Sequence, residues 1–125
     1  MKNSFEELVA IAETVVTQTL AALPEELRDA AGKLTVAYED LPDDELIADG
    51  FDSGTLGLFT GPEHAEHEGA FDPLPPQITI YIENLFLFAG YDLDVFREEV
   101  RTTYLHELGH YLGLDEDQVA ERGLE

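Results

Sequence analysis

The chain has 125 residues, with 28 Asp and Glu against 6 Lys and Arg, for a formal net charge of −22. That length supports one domain with a single modest core, and so acidic a surface repels nucleic acid and anionic membranes, so neither is an expected partner. No cysteine is present, which excludes disulfides, thiolate metal ligands and a thiol nucleophile.

The opening MKNSFEELVA meets acidic residues at once and has no uninterrupted apolar core, so it does not read as a signal peptide. No apolar run approaches the ~20 residues that span a bilayer. A soluble cytoplasmic protein is the expectation. The excess acid is accounted for by a solvated surface, and it also suits attraction of cations, a metal included, or of basic peptides.

Ser4-Phe5-Glu6-Glu7 fits a capping box, and Phe5, Leu8, Val9, Ala12, Val15, Val16 and Leu20 follow helical spacing. A helix over 5–22 is predicted, packing one apolar face on a sheet. Pro24 opens a shorter helix that Glu25 and Glu26 favour at its N-terminus and that ends near Gly32. Leu34-Thr-Val-Ala-Tyr38 is rich in strand formers and reads as the first strand. Residues 39–53, with many acids, Pro42 and Gly50, read as a surface loop.

Residues 55–60 form the second predicted strand, between Gly54 and Gly61. Gly57 inside it implies either a bulge or the close approach of another backbone or helix. An exposed edge here could accept an extended peptide by strand addition. The loop that follows carries His64 and His67, which read as exposed loop histidines rather than metal ligands. Residues 77–82 are the third strand, apolar on both faces as a central strand is. Asp92 or Asp94 then caps a long helix whose inward face runs through Phe96, Val100, Thr103 and Tyr104. Val119 and Leu124 suggest a short terminal helix.

The chemistry lies in Tyr104-Leu-His-Glu-Leu-Gly-His-Tyr-Leu-Gly-Leu-Asp-Glu-Asp117. Two histidines four apart on a helix sit about 40° apart around the axis and roughly 6 Å along it. His106 and His110 therefore point the same way, as two ligands of one Zn²⁺ must. Glu107 projects beside that pair, where a general base can reach a water without being a ligand. Gly113 can take the positive φ that ends a helix. Glu116 would then return as third ligand, with Asp115 and Asp117 as neighbours one residue out of step.

The string HELGHYLGLDE resembles the zincins. Its H-E-x-x-H-x-x-G-x-x-E layout is similar to the metzincin motif, with Glu116 where a third His usually stands. With Leu56-Gly-Leu-Phe-Thr-Gly61 and Ile78-Thr-Ile-Tyr-Ile82 the similarity covers nearly the whole chain, which looks like a minimal bacterial zincin-like metallopeptidase, a family whose motif ends in Asp or Glu. It departs from true metzincins in having no methionine turn after the motif, since Met1 is the only Met.

The expected fold is α+β, zincin-like: a small three-stranded mixed sheet with an N-terminal helix and a C-terminal active-site helix. The analogy places strands one and three as parallel neighbours and the second antiparallel at the edge. The expected function is a zinc-dependent peptidase holding one Zn²⁺ through His106, His110 and Glu116, with Glu107 as general base and a peptide or protein as substrate. The alternative is a zincin scaffold that binds metal and peptide with little or no turnover. Tyr111, next to His110, is a weak candidate for stabilising the oxyanion and reads better as packed.

Overall fold

The computed structural model describes residues 4–61 and 76–114. Ser4 caps the first helix, α1 (Phe5–Ala21), its Oγ accepting from the Glu7 N–H at 3.2 Å. The same hydroxyl donates to the Glu7 carboxylate at 3.2 Å. Helix α2 (Glu25–Ala31) follows Pro24, and strand β1 (Thr35–Glu39) begins one residue later than the composition predicts. Strand β2 (Gly57–Thr60) is shorter than its predicted span, although the Leu56 carbonyl still accepts from the Tyr81 N–H at 3.0 Å. Strand β3 (Gln77–Tyr81) stops just before Ile82.

Two helices have no counterpart in the predicted order. Helix α3 (Asp44–Ala48) interrupts the acidic segment expected to be loop; the Asp43 side chain caps it by accepting from the Leu46 N–H at 2.9 Å. None of its residues is buried. A local cap therefore holds it rather than an apolar stripe, the usual signal for a helix. Helix α4 (Ile82–Phe88) starts directly from the end of β3, taking Ile82 out of the strand. Its buried Ile82, Leu85 and Phe86 do follow helical spacing, but no glycine or proline separates them from β3.

The last described helix, α5 (Leu93–Tyr111), carries the motif, and Asp92 caps it by accepting from the Val95 N–H at 3.0 Å. The sheet order is β1-β3-β2, with β1 parallel and β2 antiparallel to the central β3. This is the expected α+β architecture: helices and a small mixed sheet with the second strand at the edge. The register pairs Val36 with Ile78, Tyr38 with Ile80, Gly57 with Ile80 and Phe59 with Ile78. These six positions share one face, because side chains alternate along a strand and keep step across it.

Helix α5 lies against that face. Ile78 and Ile80 of β3 and Phe96, Val100, Tyr104, Leu105, Leu108 and Tyr111 of α5 are almost wholly buried in one continuous core. Helix α1 does not rest mainly on the sheet, as its amphipathic pattern suggested. Its principal partners are α5, α4 and α2. Three strands spaced ~4.8 Å apart offer roughly the width of one helix, and α5 takes it. No helix among the described residues is long and apolar enough to cross a membrane.

Candidate active site

The buried stripe of α5 fixes which way the motif faces. Tyr104, Leu105, Leu108 and Tyr111 point into the core, so His106 and His110 emerge together on an exposed surface. Their ring centroids are 4.8 Å apart. Two nitrogens bound tetrahedrally to Zn²⁺ at ~2.0–2.1 Å stand about 3.4 Å from each other, so imidazoles at this spacing need little adjustment to converge on one ion. The donor type fits as well, since neutral imidazole is a common zinc ligand.

Glu107 lies at the boundary between core and surface. Its side chain is only 11 % exposed against 53 % for His106. One oxygen, Oε1, accepts from the main-chain N–H of Phe59 on β2 at 3.1 Å. The other, Oε2, stands 3.9 Å from His106 Nε2. The carboxylate thus bridges the edge strand and the histidine pair without joining the pair as a third convergent ligand. Among the described residues no group of three or more His, Cys, Asp or Glu is disposed to hold a metal.

Helix α5 ends where the motif requires. Gly113 has φ 71°. Its N–H donates to the His110 carbonyl at 3.1 Å, and the Leu114 N–H donates to the Gly109 carbonyl at 2.9 Å. These two bonds form a Schellman turn, which redirects the chain immediately after the second histidine. Glu116, with Asp115 and Asp117, lies outside the described residues, as do His64, His67 and the suggested helix through Val119 and Leu124.

The edge strand is seated on α5 by contacts that the sequence only partly signalled. A Cβ at Gly57 would collide with Thr103 Cγ2, so β2 runs as close to the helix as a glycine permits. Of the readings open for Gly57, the tight contact with the long helix is the one present. The Phe59 ring packs on Tyr111 with centroids 5.7 Å apart. Tyr111 itself is wholly buried, a core residue rather than one presented to substrate. Ahead of the strand, Asn84 Nδ2 donates to the carbonyls of Ser53 at 2.8 Å and Thr55 at 3.0 Å, tying the approach to β2 onto α4.

Beneath the site, burial pushes the Tyr104 hydroxyl up to about 12. It stays a neutral phenol at physiological pH.

Phe59 and Asn84 were not foreseen as site residues. Phe59 contributes through its main-chain N–H, which every residue except proline carries, so composition holds no trace of it. Asn84 carries a generic donor whose partners lie about thirty residues away.

A helix bearing H-E-x-x-H beneath the antiparallel edge strand of a small mixed sheet defines a zincin. A family model described as zincin-like metallopeptidase matches residues 31–124, and the chain belongs to that family. No curated protein matches the chain.

Proposed function

We propose that the chain is a zinc-dependent peptidase in which His106 and His110 hold the metal, Glu116 completes the ligand set, and Glu107 is the general base. The observation that carries this reading is the placement of Glu107. It stands beside two exposed imidazoles 4.8 Å apart, with one carboxylate oxygen directed to the His106 side. Bound Zn²⁺ would supply the Lewis acidity that polarises a scissile carbonyl and makes water a stronger acid. Glu107 Oε2 takes the water's proton and later returns it to the leaving amine.

The substrate in this reading is an extended peptide laid along β2. Among the described residues β2 is an edge strand, its Phe59 N–H given to Glu107, and the other outward groups of such an edge can serve as main-chain partners by strand addition. Gly57 brings that edge down onto α5, which supports a reading in which the peptide lies beside Glu107 and the histidines.

Two variants test the proposal. Glu107→Gln keeps shape but cannot accept a proton, so it should retain zinc and lose about 10²–10⁴-fold in turnover. His110→Ala should lose zinc, read by metal analysis of protein purified without an affinity tag. Full metal binding in His110→Ala ends the site assignment. If wild type binds one zinc and peptide yet shows no turnover across a peptide library, the scaffold reading replaces the peptidase.

A further inference from the structure

Phe59 lies on the edge strand, and the ladder dictates where its main-chain groups point. The Tyr81 N–H donates to the Leu56 carbonyl, so residues 56 and 81 form a hydrogen-bonded pair. Bonded and non-bonded pairs alternate along an antiparallel ladder. Leu58 opposite Thr79 is therefore bonded, while the N–H groups of Gly57 and Phe59 face away from β3. An outward N–H on an edge strand ordinarily meets water or a docking chain. At Phe59 it meets Glu107 Oε1 at 3.1 Å, from a residue 48 positions away.

Three contacts at helical spacing hold this arrangement. Thr103, Glu107 and Tyr111 stand four residues apart on α5 and share one stripe of the helix. Gly57 touches down at Thr103, the Phe59 N–H at Glu107, and the Phe59 ring at Tyr111. A carboxylate on a free side chain rotates. This one is held at Oε1 by a donor built into a strand that is itself fixed above and below. Such a hydrogen bond to an ionised group is directional and stronger than a neutral one.

We propose that the Phe59 main-chain amide is a positioning donor for Glu107: it fixes Oε1 and leaves Oε2, on the His106 side, as the oxygen that takes and returns the proton. This rests on Glu107 being the general base. It goes beyond that reading in assigning different roles to the two oxygens and in making the edge strand part of the proton-transfer machinery.

Amide hydrogen exchange in the metal-free protein tests the contact without reference to activity. The Phe59 amide should exchange slowly in wild type and at least about tenfold faster in Glu107→Ala, with Leu58, bonded to β3, unchanged as internal control. Equal Phe59 rates in the two proteins overturn the proposal. Replacing Phe59 by its α-hydroxy analogue deletes the N–H and keeps the ring. That ester variant should keep wild-type zinc affinity while kcat falls about 10- to 100-fold, the scale of loss from a misplaced reacting group. A wild-type kcat in the ester variant also overturns it. If wild type binds zinc but cleaves nothing, the base assignment fails and the positioning role with it. Slow Phe59 exchange that depends on Glu107 would then mark the bond as structural, separating that outcome from an absent contact.

Discussion

The two strands that flank β3 do different work. β1 is Thr-Val-Ala-Tyr-Glu, parallel to β3, and supplies Val36 and Tyr38 to the face that α5 covers. β2 is Gly-Leu-Phe-Thr, antiparallel, and presents at one position no side chain at all. By strand propensity β1 is the better sequence. The weaker strand is the one in the site, because what matters there is how near the main chain comes to Glu107. A side chain at position 57 would stand in the way. The comparison separates a strand chosen for packing from one chosen for approach.

Adding carbon to β2 should therefore hurt most. Gly57→Val forces a branched side chain against Thr103 and should cost about 1–3 kcal/mol, as overpacking does, read as a fall in Tm or in the denaturation midpoint. Gly57→Ala should be partly rescued by Thr103→Ser, which removes the methyl that a Cβ would strike. Without rescue, the contact is not what demands glycine. Asn84→Ala should cost about 1 kcal/mol by releasing two main-chain carbonyls, with faster exchange confined to the approach to β2. On β1, which carries no glycine, Ala37→Gly should cost only about 0.5–1 kcal/mol through backbone entropy. A loss as large as that of Gly57→Val would erase the contrast between the strands.

High pH probes β1 more gently. Burial, and then the charges of Glu13 and Tyr104, push the Tyr38 hydroxyl from 10.0 up to about 12. The folded state thus favours the neutral phenol. That contribution is complete below about pH 10 and is lost as pH rises towards 12, because the unfolded chain ionises first. Tyr38→Phe should flatten the decline in stability over that window, measured by denaturation at stepped pH. An unchanged slope would assign the decline to other groups.

Sequence alone determined whatever depends on near neighbours along the chain. Ser4 caps the first helix, Asp92 or Asp94 caps the last (the structure uses Asp92), the histidine pair shares a helical face, and Gly113 turns the chain after the motif, because each involves residues within about one helical turn. Phe96, Val100, Thr103 and Tyr104 were legible as the inward face for the same reason. The mixed sheet, with its second strand antiparallel at the edge, followed from resemblance to zincins; no local pattern specifies how strands pair. Helix α3 escaped notice because it rests on a cap with no buried stripe, and α4 because it continues β3 without a break. Only the tertiary structure decided that α5, not α1, covers the sheet, that Gly57 answers to Thr103, and that the Phe59 amide holds Glu107. Those depend on distances across 46 to 48 positions, and a main-chain N–H is the same in nearly every residue. Nothing in the sequence can mark which one the site will use.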